Sequence, residues 1–303
     1  GLIDTYARCG LLGLAQQVFD KMPSRDTVSW NVLIAGYVDH CLSEEAFKCF
    51  DEMQSEGVSP NAVTFVAILK ACCSMGALDR ARDIHMVIEH EGLLQNDLVL
   101  GNTLLNMYVN CGLVSRARQV FDNLPMKDVI SWTSLLTGYA HLGECDSVFL
   151  LFDSMLLQGI RPNMVTFLVA LNACSRSGQL TKSQQYFEAM KTEYGICPTL
   201  EHHTCIMDLL VRSGQLENAG AMIRKIPFSS DPVVWHSILD ACKTWGNVEL
   251  GKQAFENALH LNQDDAVAYV LMSQIYSRAG LDAEANKLKM MNVTNGCTYS
   301  SNI

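Results

Sequence analysis

Apolar side chains recur along this chain at i, i+3, i+4 and i+7. Trp30, Leu33, Ile34 and Tyr37 keep that spacing, and Ala46, Cys49, Phe50 and Met53 repeat it after a short connection. Trp132, Leu135, Leu136 and Tyr139 do the same, followed by Val148, Leu151, Phe152 and Met155. One apolar stripe with a 3.6-residue period marks an amphipathic helix, so the stripes read as core. Gly57 with Pro60, and Gly159 with Pro162, close the second helix of each pair. Strand-like alternation of useful length does not occur. A lone helical hairpin cannot bury its stripe, so neighbours must stack. The expected fold is all-α, an α-α superhelix: a solenoid of helix-turn-helix units with a concave face.

The hairpins are copies of one another. Cys9, Gly10, Phe19, Pro23, Asp26 and Trp30 return 102 residues later as Cys111, Gly112, Phe121, Pro125, Asp128 and Trp132. Tyr37, Phe50, Gly57, Pro60, Asn61 and Thr64 return as Tyr139, Phe152, Gly159, Pro162, Asn163 and Thr166. A fainter third copy carries Gly214, Ala219 and Pro227, with Trp235 one residue late. Self-similarity of this kind points to a repeat array. The expected units are a partial repeat 1–26, then 27–61, 62–97, 98–128, 129–163, 164–199 and 200–231, in lengths of about 31, 35 and 36 residues.

Composition narrows the function. Of 303 residues 49% are hydrophobic and 18% charged, enough for a buried core. No apolar run reaches the roughly 20 residues that span a bilayer. The opening Gly-Leu-Ile-Asp-Thr-Tyr already reads as mid-helix, so the N-terminus looks truncated and carries no targeting peptide. Twelve cysteines include no C-x-x-C, and no H-x-E occurs, so the ligand and proton-shuttle pattern of a zinc deaminase is missing. Cys72, Cys174 and Cys242 follow an Ala in apolar stretches, while Cys9 and Cys111 precede a Gly; all are expected to be small buried residues in a reducing compartment. Adjacent His202 and His203 point about 100° apart on a helix and suit packing or surface positions better than one metal ion. No acid–base cluster stands out. The expectation is a non-enzyme without metal or cofactor.

The residues themselves are more telling than the period. "VSWNVLIAGYVDHCLSEEAFKCFDEMQSEGVSPN" and "VISWTSLLTGYAHLGECDSVFLLFDSMLLQGIRPN" resemble the pentatricopeptide repeat and lack the W-x-x-L-G-x-x-Y pattern of tetratricopeptide repeats. The rotation of short, ordinary and long units is similar to the plant PLS subclass. "EHHTCIMDLLVRSGQLENAGAMIRKIP" resembles its last short repeat. Residues 232–264 and 265–291 resemble the two E motifs that follow the array, and 292–303 diverge, with Thr298-Tyr299 where the family has Ser-Trp. No DYW deaminase domain follows in the sequence.

That resemblance implies a sequence-specific single-stranded RNA-binding protein of an organelle. A mitochondrion is expected, with a chloroplast as the alternative. Its implied task is to select a cytidine for C-to-U editing, with a deaminase-bearing or editing-factor protein recruited in trans and no membrane involved. Each repeat would meet one base through a residue near the start of its first helix and its final residue. Carried over by position, these are Asn31 with Asn61, Asn102 with Asp128, Thr133 with Asn163, and Thr204 with Asp231. The partial first unit keeps only Asp26. The long units place Val66 with Asp97 and Leu168 with Thr199, where an apolar residue cannot bond a base edge. Val28, Val63, Val99, Ile130 and Val165 match the family's wedges between bases.

An ionised Asp only accepts hydrogen bonds, so it suits the ring N–H of G or U; an Asn can donate to the ring nitrogen of A or C. With the family's preference of Thr for purines and Asn for pyrimidines, the pairs imply 5′-Y-n-U-A-n-G-n-n-n-C. The same residue types also cap helices and close turns. A net charge of −10 runs against the basic surfaces of most nucleic-acid binders. It implies modest affinity or helper proteins, and keeps a protein-binding helical scaffold open as the alternative.

Overall fold

The computed structural model describes residues 1–223 and 232–297. The chain divides into two compact units, Gly1–Arg161 and Pro162–Ile303. The fold is all-α, as the periodicity predicts, and no strand occurs among the described residues. The first unit holds five hairpins: α1 (Leu2–Arg8) with α2 (Leu12–Asp20), α3 (Thr27–Asp39) with α4 (Ser43–Ser55), α5 (Ala62–Met75) with α6 (Leu78–His90), α7 (Leu98–Asn110) with α8 (Val114–Asn123), and α9 (Val129–Leu142) with α10 (Cys145–Leu157). A 3₁₀ turn, Leu93–Gln95, lengthens the third connection.

The second unit holds α11 (Met164–Ser177) with α12 (Leu180–Thr192), α13 (Leu200–Arg212) with α14 (Leu216–Ile223), α15 (Pro232–Trp245) with α16 (Val248–Leu261), and α17 (Ala266–Arg278) with α18 (Asp282–Cys297). Within each unit the first helices pack in sequence, α1 on α3, α3 on α5, α5 on α7, α7 on α9, and separately α11 on α13, α13 on α15, α15 on α17. Each also packs on its own hairpin partner.

The stripes meet in the core. Trp30, Leu33, Ile34, Ala46, Phe50 and Met53 are buried, as are their counterparts Trp132, Leu135, Leu136, Val148, Phe152 and Met155. Phe19 meets Trp30 edge-on at 4.5 Å between ring centroids, and Phe121 meets Trp132 likewise at 4.8 Å. Each contact ties the second helix of one repeat to the first helix of the next.

Local chemistry starts and stops the helices. Asp26, Asn61, Asp128 and Asn163 are the N-caps of α3, α5, α9 and α11, each in a capping box with Ser29, Thr64, Ser131 or Thr166. Gly76 and Gly178 end α5 and α11 at φ of 65° and 73°, a left-handed conformation that a side chain resists.

The cysteines divide. Cys72, Cys174 and Cys242 are buried as expected, and burial pushes the Cys72 and Cys242 thiols up to about 12. Cys9 and Cys111 depart from the expectation: Cys9 is exposed and Cys111 half-buried. Both are the C-caps of α1 and α7, where the chain turns out of the core toward a glycine. The cysteines from Cys9 to Cys242 are free thiols.

His202 and His203 are packing residues, both buried. His202 Nδ1 accepts from the Thr199 backbone N–H at 3.2 Å and its Nε2 faces the Met164 carbonyl at 2.9 Å. Burial holds both imidazoles below the usual histidine range, so they are neutral near pH 7.

Helix α1 crosses α3 at Gly36, where a Cβ would lie 2.7 Å from the Ala7 Cβ. Ala7 has no rotamer with which to yield. At Gly101 the equivalent clash is with the tip of Leu124, at 2.5 Å, which can rotate. Chemical denaturation should therefore show Gly36→Ala destabilising by about 1–3 kcal/mol as overpacking. Gly101→Ala should cost clearly less because the Leu124 tip can yield; the roughly 1 kcal/mol helix preference of Ala over Gly favours both variants alike. Equal losses would contradict the rigid contact at Ala7.

Candidate nucleic-acid interface

The first turns of α5 and α9 present the same small assembly. Asn31, on the second turn of α3, donates from Nδ2 to Asn61 Oδ1 at 3.0 Å. Thr64 Oγ1 donates to Asn31 Oδ1 at 2.6 Å, and the Thr64 backbone N–H donates to Asn61 Oδ1 at 3.2 Å. Two units later the distances recur: Asn102 Nδ2 to Asp128 Oδ1 is 3.1 Å, Ser131 Oγ to Asn102 Oδ1 is 2.6 Å, and Ser131 N–H to Asp128 Oδ1 is 2.9 Å. Two of the sequence-paired sets are thus joined side chain to side chain.

The third member, Thr64 or Ser131, is absent from the sequence-derived residues. Its signal was there: a hydroxyl residue three places after an Asn or Asp that ends a repeat, the spacing of a capping box.

These contacts decide which atoms remain for a ligand. A backbone N–H can only donate, so Asn61 must turn Oδ1 toward Thr64 and Nδ2 away. Among the described residues Nδ2 of Asn61 donates to nothing, and Oδ2 of Asp128 accepts from nothing. Capping and presenting a polar edge are therefore one arrangement in these residues, not alternatives. Burial raises the Asp128 carboxyl, but hydrogen bonds from the Ser131 N–H, the Asn102 amide and the Ser131 hydroxyl outweigh it and hold it below the usual carboxylate range. Asp128 is ionised near neutral pH and can only accept.

The remaining members stand as follows. Thr133 is buried on α9 in the first unit, its carbonyl accepting from Thr137 Oγ1 at 2.8 Å. Asn163 caps α11 in the second unit, with Oδ1 accepting from the Thr166 N–H and hydroxyl, both at 2.9 Å. Thr204 on α13 bonds back to the Leu200 carbonyl at 2.9 Å. Asp231 lies outside the described residues. Val66 and Leu168, in the long units, are half-buried, and Asp97 caps α7 through the Leu100 N–H at 2.8 Å.

The five residues expected to act as wedges share one register. Val28, Val63, Val99, Ile130 and Val165 each occupy the second position of a first helix, and all are exposed, from 50% at Ile130 to 66% at Val28. Val28 and Val63 line a cavity of about 650 Å³ together with Asn31 and Asn61. An apolar jaw on each side of a polar edge suits a flat heterocycle, which can stack on the jaws and bond along the edge. The nearest cation, Arg8, is tied to Asp4 at 2.9 Å, so the cavity offers little positive field.

Comparison with known proteins agrees with the repeat reading. The model of the PPR repeat family matches residues 25–74 and 127–176, and that of the PPR repeat matches 1–27, 63–93, 102–129 and 165–194. The E motif matches 245–298. A chloroplastic pentatricopeptide repeat-containing protein of Arabidopsis thaliana is 40% identical over 96% of this chain and 39% of its own length. A putative mitochondrial one from the same plant is 36% identical over 91% of this chain and 44% of its own length. The chain thus spans about two fifths of the curated relatives it matches. The crystal structure of the pentatricopeptide repeat protein PPR10 in complex with an 18-nt psaJ RNA element superposes with a TM-score of 0.74. The overlap covers 94% of this chain and 42% of that one at 21% identity, a likeness of fold.

Removing the Asp128 carboxylate should cost stability in a pH-dependent way. Asp128→Ala loses an N-cap, a loss of roughly 1 kcal/mol near neutral pH by denaturant titration. Because the folded carboxyl titrates below its unfolded value, the charged form's contribution is full above the unfolded pKa. It fades as pH falls through the folded one. The gap between wild type and variant should therefore shrink in acid; a gap that widens there would contradict the hydrogen-bonded carboxylate.

Proposed function

We propose that this chain, which belongs to the pentatricopeptide repeat family, is a sequence-specific single-stranded RNA-binding protein of an organelle that selects a cytidine for C-to-U editing. The observation that carries the reading is the Asn102–Asp128 pair, bonded at 3.1 Å with Oδ2 left over, in helices whose second residues, Val99 and Ile130, are exposed. A uracil fits that opening: its ring N–H donates to the carboxylate and its faces meet the two apolar side chains. The Asn61 amide offers the converse, a donor for the ring nitrogen of cytosine, so Asn31 with Asn61 takes a pyrimidine. Thr133 with Asn163 takes A, and Thr204 with Asp231 takes G.

The bases are held by edge and face more than by charge, since the chain carries −10. Affinity should fall less steeply with salt than for a protein that neutralises many phosphates. In this reading the chain binds RNA and leaves the chemistry of editing to its partner. The match to the E motif at 245–298 supports a role for that region in recruiting a deaminase in trans. Relatives named chloroplastic and mitochondrial support an organelle, and a mitochondrion is the first choice.

Selection from a random single-stranded RNA pool should enrich U-A-n-G, with a pyrimidine two places before the U. A pool without that enrichment overturns the register or the function. A nuclease-resistant complex with protein in the same preparation would then favour the scaffold. A single substitution tests one site: Asn163→Asp replaces a donor by an acceptor while Thr133 keeps its purine preference. Binding to four RNAs that differ at that base should shift from A to G, a discrimination of about 1–3 kcal/mol by analogy with direct base readout. Equal weakening on all four would mean that Asn163 only caps α11.

A further inference from the structure

The 102-residue period places an internal reference inside the first unit, because α4 and α10 are the same element in two copies. Their buried sides agree: Ala46, Phe50 and Met53 correspond to Val148, Phe152 and Met155, all in the core. Their outer sides do not. Where α4 carries Glu45, Lys48, Glu52, Gln54, Ser55 and Glu56, α10 and its C-cap carry Ser147, Leu150, Ser154, Leu156, Leu157 and Gln158. Leu150 is 69% exposed and Leu157 88% exposed, seven residues apart and so on one helix face. Met126, 72% exposed, stands where the first copy has Ser24. The core that the two helices share gives no reason for this exchange, and clustered exposed apolar side chains mark interaction sites.

The charge around that face also changes sign. A cavity of about 450 Å³ opens beside Leu150, among α8, α9 and α10, with Arg118 and Lys127 on its walls. The first copy has Gln16 in place of Arg118 and Arg25 in place of Lys127, and there Arg25 Nη1 is bound to Glu56 Oε1 at 2.5 Å. Gln158 replaces that carboxylate, so Lys127 turns its ammonium to the Leu124 carbonyl at 2.8 Å. The acid left at this cavity is Asp122, held by Arg118 Nε through both oxygens at 3.0 Å. Two cations then face one carboxylate, in a chain whose net charge is −10. A carboxylate entering the cavity would meet Lys127 and the outer edge of the Arg118 guanidinium, with Ser147 and Ser154 as hydroxyl donors.

We propose that the outer face of α10, with the Arg118–Lys127 cavity beside it, docks a segment of a partner protein in which apolar side chains flank a carboxylate. Leu150, Leu157 and Met126 receive the apolar residues, and the two cations receive the acid. A second copy of this chain fits less well, because a two-fold contact through this face would bring like cations together and offer only Asp122, already bound. An anionic bilayer would be repelled by the rest of the chain. The surface is independent of the base-reading pairs and of the RNA reading that rests on them.

A phage-displayed library of random peptides, panned on the whole chain, tests this. The expected consensus is an Asp or Glu between apolar residues. A variant that restores the first copy's residues, Ser147→Glu, Leu150→Lys, Ser154→Glu, Leu156→Gln, Leu157→Ser and Gln158→Glu, should lose the enriched peptides. The same scaffold already carries that set on α4, and circular dichroism checks that the helices are kept. Arg118→Gln with Lys127→Gln should weaken a selected peptide roughly tenfold, and changing its acid to the amide should do the same. No enriched peptide, or equal retention by the restored chain, overturns the proposal. So does sedimentation showing a dimer that the restored chain lacks, or binding to phosphatidylserine vesicles through this face.

Discussion

One hydrogen bond underlies much of this molecule: the one from the third backbone N–H of a first helix to the side-chain oxygen of the residue that ends the preceding repeat. At Asn61 and Asp128 it caps the helix, satisfying a donor that would otherwise be orphaned. It also orients the side chain. With Oδ1 committed to the backbone and to Asn31 or Asn102, the remaining Nδ2 or Oδ2 has one direction in which to point. A side chain that reads a base must be held still before the base arrives, because ordering it afterwards would subtract from affinity. Here helix initiation does the holding. Stability and the proposed recognition are thus coupled in the same atoms, and a variant at these positions is best judged by which of the four bases it affects.

The second constraint is the edge-on contact of Phe19 with Trp30 and of Phe121 with Trp132. It links the end of one hairpin to the start of the next and keeps wedge and reading positions in a common register along the first helices. Copies made on that frame are free to differ wherever they face solvent. The super-period makes the difference measurable: α4 and α10 share a core and differ in nearly every outward residue. Repeat proteins permit such divergence because each unit contacts only its neighbours, so a change on one outer face leaves the others undisturbed.

Charge separates this chain from many nucleic-acid binders. With −10 overall, counterion release would supply only part of the proposed RNA affinity, and in that proposal stacking on exposed valines with edge hydrogen bonds supplies more. The local positive field at Arg118 and Lys127 lies on the outer side of the repeat, beside apolar residues. That pairing suits an acidic protein segment better than a phosphate backbone.

Much was legible from the amino-acid order alone. The period of 3.6 residues and the recurrence at 102 determined helices, hairpins and core, because burial of one stripe per helix has a single solution in a stacked array. The buried Trp30 and Trp132 follow from position in the stripe, whereas Val28, Val63, Val99, Ile130 and Val165 were marked out only by the family resemblance, and the structure shows them exposed. Sequence could not decide whether Asn61 and Asp128 cap or present. Both uses demand the same residue types, and only the three-dimensional placement of Thr64 and Ser131 showed that one oxygen serves the cap while the other polar atom stays clear. Nor could it place Cys9 and Cys111, whose neighbours in sequence are helical but whose positions fall where the chain turns out of the core. The exposure of Leu150 and Leu157 was likewise hidden, since an apolar residue on a helix is assigned to the core until the packing of its neighbours is known. Periodicity encodes which side of a helix is buried; what lies against the other side is a long-range property that no local pattern carries.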